Sequence, residues 1–286
     1  MRKLNLIAAF TAACITGGAW ASTVVVSPTT LNGWAFNNTD NAGNIGLGTG
    51  TGDFVTGPAT PPLGVGSAHL ETPAGGGDQS VQLRNTSYNG TLLSSLTALS
   101  YSTDFSAWNG PGGQDTYLTL YINTTGVGAT PGSYDDRIFF EPVYSNNAST
   151  LGDPFGVDPY PDQGPPTINT WQNWNLMQGM WYGDNEGGPG NDTFTLSQYL
   201  GLFPNATIVN AAPGLGGIRI ASGFASPGDN FDDYVDDFTI GTSAGSTTFD
   251  FEPSAPVPLP KTVWGGVVLF AGLGLMKFRQ RRANAA

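Results

Sequence analysis

The run Tyr117–Ile122 places Leu118, Leu120 and Ile122 on one side of an extended chain and Tyr117, Thr119 and Tyr121 on the other. Alternation at a period of two marks a strand with one face on a core, and the β-branched and aromatic residues on both faces reinforce it. Comparable short runs occupy Ser80–Arg84, Ala98–Phe105, Arg137–Tyr144, Trp171–Met177, Gly217–Ala221, Tyr234–Ile240 and Thr247–Glu252. In the last of these, Phe249 and Phe251 are expected to point inward, and Asp250 and Glu252 outward. Clusters of Gly, Pro, Asn, Asp, Ser and Thr separate the runs, so the chain must turn every few residues. About nine such strands with long loops predict an all-β, jelly-roll-like β-sandwich over residues 22–252.

One segment departs from the pattern. Leu196, Tyr199, Leu200 and Phe203 recur at helical spacing, Thr195 can cap the start, and Pro204 stops the run. A single short helix is expected there, lying over an edge of the sandwich.

The two ends are of another kind. Arg2 and Lys3 precede an apolar run from Leu4 to Ile15, and small residues lead to Ala19-Trp20-Ala21. A charged start, a short apolar stretch and an A-x-A site form a secretory signal peptide over residues 1–21, with cleavage expected after Ala21. Cys14 raises the rival of a lipoprotein signal, which wants a large aliphatic residue where Thr11 stands. At the other end, residues 253–261 are a Pro-rich linker that ends in Val257-Pro258-Leu259-Pro260. Residues 262–278 are apolar and Gly-rich, and 279–286 carry Arg279, Arg281 and Arg282. Such a stretch can cross a bilayer with Lys277 snorkelling, and its basic end would stay cytoplasmic.

Val257, Pro258, Leu259, Pro260, Trp264, the Gly272-Leu273 pair and the Arg cluster together resemble a PEP-CTERM sorting signal of Gram-negative bacteria, in its VPLPA-type variant. Lys261 stands where that variant has Ala. The resemblance implies recognition by an exosortase-type membrane protease, a transient inner-membrane anchor, and delivery to the cell surface or an exopolysaccharide-rich matrix. Gly57-Pro58 through Gly66-Ser67, Phe140-Glu141-Pro142, Trp171 and Trp174 ahead of Trp181, and Val235-Asp236-Asp237-Phe238 resemble uncharacterised secreted proteins with such tails. The last of these runs also resembles the closing strand of jelly-roll carbohydrate-binding modules.

Charge narrows the partners. All 22 acidic residues lie in the body, whose only cations are Arg84, Arg137 and Arg219, a net of 3 − 22 = −19. Nucleic acid, which needs clustered cations, is an unsuitable partner. Neutral or calcium-bridged polysaccharide is the expected one. The only Cys is Cys14, within the signal, so the body has no disulfide. His69 is the only His, which excludes multi-histidine zinc sites and reads as structural.

Two groups could carry chemistry. Trp171, Trp174, Trp181 and Tyr182 form the densest aromatic group, either a platform for sugar rings or core. Asp229, Asp232, Asp233, Asp236 and Asp237 form the densest charge, with Asp236 and Asp233 the expected ligands of a structural Ca2+. The alternative for Asp236 is a hydrogen-bonded carboxylate. Strand alternation would set Tyr234, Asp236, Phe238 and Ile240 on one face. Glu71, Glu141, Glu186 and Glu252 are scattered, whereas a glycosidase needs two carboxylates flanking one bond. The expectation is a non-catalytic surface or matrix protein that binds extracellular polysaccharide. Its alternatives are a purely structural matrix protein and, further off, a β-sandwich glycoside hydrolase.

Overall fold

The structure, a computed structural model, describes residues 20–108, 114–145, 162–183 and 194–254. In chain order the first strands are β1 (Trp20–Val26), β2 (Trp34–Thr39), β3 (Thr51–Thr56), β4 (Gly66–Thr72), β5 (Ser80–Asn85), β6 (Leu96–Trp108) and β7 (Tyr117–Asn123). They are followed by β8 (Asp136–Phe140), β9 (Gln172–Asn175), β10 (Tyr182–Gly183), β11 (Thr207–Ile208), β12 (Ile218–Gly223), β13 (Phe231–Thr242) and β14 (Gly245–Phe251).

These strands build two sheets. One contains β1, β3, β4, β6, β9, β13 and β14; the other runs β10-β8-β7-β12-β5-β2, with β11 also on β7. Their aliphatic faces share one core. Ala68, Leu70, Leu99, Val235 and Phe238 come from the first sheet, and Val81, Leu83, Leu118, Leu120, Ile218 and Ile220 from the second. Trp34 stands edge-on to Phe238, Phe249 and Phe251 at centroid distances of 5.1, 5.4 and 5.3 Å, the geometry aromatic quadrupoles prefer. The protein is therefore a β-sandwich. The chain changes sheet repeatedly, so most sequence neighbours are not partners in one hairpin. The pairings are antiparallel except that of β1 with β14.

Strand β13 organises the first sheet. One edge pairs with β6 along its length. The other edge pairs with β4 over Phe231–Val235 and with β14 over Phe238–Thr242. Asp236 and Asp237 lie where this edge changes partner. The register against β6 shifts between Asp236 and Thr239, and Asp237 has φ +54°. Simple alternation therefore fails here. Tyr234 does not share the inner face with Phe238 and Ile240. It faces out, stacked on His69 at 4.6 Å.

The short helix α1 (Leu196–Leu202) forms as the spacing predicts. Thr195 and Gln198 make a reciprocal capping box, satisfying two amides that a helix start leaves open. The Tyr199 hydroxyl donates to Asp136 at 2.7 Å, which ties the helix to β8.

Among the described residues no helix is long and apolar enough to cross a membrane. Ala19, the sorting motif Val257–Pro260, Trp264, segment 262–278 and Arg279, Arg281 and Arg282 lie outside the described residues. Trp20 and Ala21 open β1 and are exposed, so cleavage after Ala21 would leave Ser22–Val26 paired to Thr247–Phe251.

Candidate functional site

The four aromatic residues expected to act together do not meet. Trp174 and Trp181 are wholly buried in the core. Each indole N–H is already used, by Thr103 Oγ1 at 2.8 Å and by the Leu176 carbonyl at 3.0 Å respectively. The sugar-platform reading is corrected for both: they face the core because strand alternation and the bridge between Trp181 and Phe194 turn them inward. Trp171 is half-buried just before β9, and its N–H donates to the Pro58 carbonyl at 3.0 Å. Only Tyr182 reaches an open cleft.

That cleft lies on the outer face of the second sheet and has a volume of about 340 Å3. Its lining includes Tyr117, Arg137, Phe139, Glu141, Tyr182 and Arg219. The face arises directly from the pleat. On β7, β8 and β12, each residue next to an inward Leu or Ile points the other way, which turns Tyr117, Thr119, Tyr121, Arg137, Phe139 and Arg219 toward this side. Register then aligns them. Thr119 is opposite Phe139, Tyr121 opposite Arg137, and Arg219 opposite both Thr119 and Arg84.

All three cations of the body converge here. The guanidiniums of Arg84, Arg219 and Arg137 lie 5.0, 5.9 and 6.0 Å from the centre of the Tyr121 ring. Arg84 is buried and held by Gln82 at 2.8 Å, the Tyr121 hydroxyl at 3.0 Å and the Gly216 carbonyl at 3.3 Å. Arg219 spends Nε and Nη2 on one acceptor, Thr119 Oγ1, at 3.2 and 2.8 Å. Among the described residues, neither Arg84 nor Arg219 forms an ion pair. Burial alone would raise the Tyr121 pKa, but the Arg219 and Arg84 charges outweigh it and draw it down. Burial lowers that of Arg84, and the Arg219 charge adds to the effect.

Phe139 and Tyr182 stack at 5.1 Å with planes 10° apart. The Tyr182 hydroxyl donates to Glu141 Oε1. Burial raises the Glu141 pKa against the opposing pull of that hydrogen bond and of Arg219. Burial and Glu141 together push Tyr182 upward, so its phenol stays protonated and donates. Among the described residues Glu141 is the single carboxylate lining the cleft.

No family model matches the chain, and no curated protein matches it. A similarity is found to one solved structure, "SGBP-B from a complex xyloglucan utilization locus in Bacteroides uniformis", at 12% identity and a TM-score of 0.29. It covers 68% of this chain and 45% of that one, so the chain spans under half of that protein's length.

The acidic residues are also distributed differently from expectation. Asp236 and Asp233 do not share a site. Asp236 Oδ2 accepts the Leu63 amide at 2.9 Å and Oδ1 the Phe251 amide at 3.1 Å, joining the 57–65 loop and β14 at the point where β13 changes partner. Burial raises its pKa to about 7. Asp233 is buried elsewhere, accepting from Ser222. Among the described residues no group of three or more His, Cys, Asp or Glu could hold a metal ion. The donor set at Asp236 fits a hydrogen-bonded carboxylate better than Ca2+, because both oxygens are already engaged by backbone amides. His69 bridges Asp53 at 3.3 Å and Asp232 at 2.7 Å on the outer face of the first sheet.

The arginine site escaped the sequence reading, although a signal was present. The body has three cations, and each adjoins an inward aliphatic residue: Leu83-Arg84, Arg137-Ile138 and Ile218-Arg219-Ile220. A cation within a strand, one step from the core face, belongs to an outer sheet face.

Proposed function

We propose that this is an exported, non-catalytic β-sandwich of the jelly-roll type that binds extracellular polysaccharide in the cleft between β8, β10 and β12. The carrying observation is the stacked pair Phe139–Tyr182 beside Arg137, Glu141 and Arg219, in one open cleft. Aromatic edges and faces supply apolar contact to a sugar ring, and polar groups fix its hydroxyls, which is the composition of a selective small-ligand site. The volume is near the lower end of the usual range for ligand pockets, roughly 300–1,000 Å3, and suits one or two sugar residues. Hydrolysis would require a second carboxylate across the bond from Glu141, and the described lining offers none.

The tail completes the reading. Its resemblance to PEP-CTERM signals supports export, a transient inner-membrane anchor in the 262–278 segment, an exosortase-type protease as processing partner, and a final place at the surface or in the matrix. The test is migration of the purified protein through gels containing polysaccharide. Retardation by at least one polymer, lost in Tyr182→Ala at unchanged fold, is the expected result. Identical migration of wild type with every polymer, including that of its host, would leave the structural-protein alternative.

A further inference from the structure

Arg84 and Arg219 are directly opposite each other on β5 and β12, and both are buried. Like charges opposed across strands destabilise a sheet, and burial adds the cost of desolvating each ion. Neutral partners supply part of the compensation: Thr119, Gln82, the Gly216 carbonyl, and the rings of Tyr121, Tyr117 and Phe139. Hydrogen bonds and cation–π contacts hold a guanidinium but do not neutralise it. Among the described residues Nη1 of Arg219 has no hydrogen-bond partner, and Arg219 lines the cleft. Arg137 lines it as well, on the neighbouring strand β8. Opposing this positive charge is Glu141, whose ionised form burial disfavours. In a body of net charge −19, the described lining of this cleft sets two guanidiniums, Arg137 and Arg219, against one carboxylate, Glu141.

We propose that the cleft selects a sugar residue bearing an oxyanion, the carboxylate of a uronic acid or a sulfate ester, within an acidic polysaccharide. The anion would sit against Arg219 and Arg137, with Arg84 adding its charge from behind, and the sugar ring would lie by Phe139 and Tyr182. Guanidinium geometry matches the paired oxygens of both anions, and charge-assisted bonds in a partly enclosed site are the strong ones. This deepens the polysaccharide-binding reading and rests on it, and it reverses the expectation of a neutral polymer. The reversal has a simple physical basis. Net charge acts at long range and is screened within about 10 Å at 0.1 M salt, whereas ligand contact is decided by the groups lining the cleft.

The test compares matched ligands by calorimetry on the purified secreted protein: oligogalacturonate, its methyl ester, and a sulfated oligosaccharide against its desulfated form. At least one anionic ligand should bind tenfold or more tightly than its neutral counterpart, and the pair that differs identifies carboxylate or sulfate as the source. That preference should fall to within about twofold in Arg137→Gln and in Arg219→Gln. Arg137→Gln carries the test if the buried Arg219 variant does not fold. Equal binding of charged and neutral ligands overturns the anionic assignment and leaves polysaccharide binding standing. Absence of binding by any of the four, together with the full set of neutral polymers in the gels, overturns both.

Discussion

Arg84 and Arg219 stand opposite one another on adjacent strands, both close to the ring of Tyr121, with Arg137 as the third cation at that ring. This arrangement costs stability in isolation, and among the described residues no carboxylate pairs with Arg84 or Arg219. Replacing Arg84 by Met should therefore destabilise less than removal of a fully paired buried charge, which costs about 3–5 kcal/mol. Thermal melts of Arg84→Met beside Arg84→Ala measure this, and an equally large loss in both would show that the charge itself is needed for folding.

Two adjacent aromatic residues should behave oppositely. Trp181→Ala empties a core site and is expected to cost about 3–5 kcal/mol. Tyr182→Ala removes a half-buried ring from the cleft, so the fold should persist while retention in polysaccharide gels is lost. Parallel melting curves and gels on the two variants separate these roles. A stable Trp181→Ala that loses retention would contradict the placement of its indole.

Stability should decline from mildly acid to mildly alkaline pH. Burial raises the folded pKa of Asp115 and of Asp236 to about 7, and that of Asp250 to about 6. A carboxyl with a raised folded value favours the native state when protonated, so its contribution is complete below its unfolded pKa and is lost as pH rises through the folded one. His69 has the same sign: burial opposes its charge, but Asp232 and Asp53 outweigh this and raise its pKa. Asp232, lowered chiefly by its bond to His69, contributes in the other direction, and that share disappears as pH falls through its depressed value. A melting temperature that falls between about pH 5 and pH 8, and falls less in Asp236→Asn, is expected. A flat profile would argue that these carboxyls ionise freely.

Calcium and chelator should leave the melting temperature unchanged at neutral pH. The Asp236 carboxylate is satisfied by the Leu63 and Phe251 amides. Asp236→Asn turns an amide N–H toward one of these donors and should cost about 1–3 kcal/mol irrespective of calcium. A calcium-dependent rise that vanishes in Asp236→Asn would restore the metal reading.

Glu141→Gln distinguishes binding from hydrolysis. If the cleft binds an anion, removing Glu141, the single carboxylate of the described lining, should keep or strengthen affinity for the acidic ligand, read by calorimetry. Release of new reducing ends by wild type, abolished in this variant, would instead assign Glu141 to a hydrolase.

Maturation is checked by intact mass on protein from the native envelope. The expected chain begins at Ser22 and lacks Arg279–Ala286. A mass retaining those residues would favour a permanent anchor.

Much of the fold was legible because strand alternation and capping are local. Leu118, Leu120 and Ile122 mark the core face of β7, and Thr195 with Gln198 marks the start of α1. The short edge pieces β10 and β11, two residues each, were not, because so brief a run has no period. Asp236 could be recognised as a carboxylate near a core, but not as the residue joining two backbone segments, since the register shift that orients it depends on β13 changing partner. The aromatic group of Trp171, Trp174, Trp181 and Tyr182 is close in sequence and divided in space, because successive turns send its members to a sheet edge, the core and the cleft. The sequence alone determined that the body is strand-built and acidic, with only three cations. The tertiary structure decided that Arg84, Arg137 and Arg219 meet, because cross-strand register between segments up to 135 residues apart is set by core packing and not by the local chain.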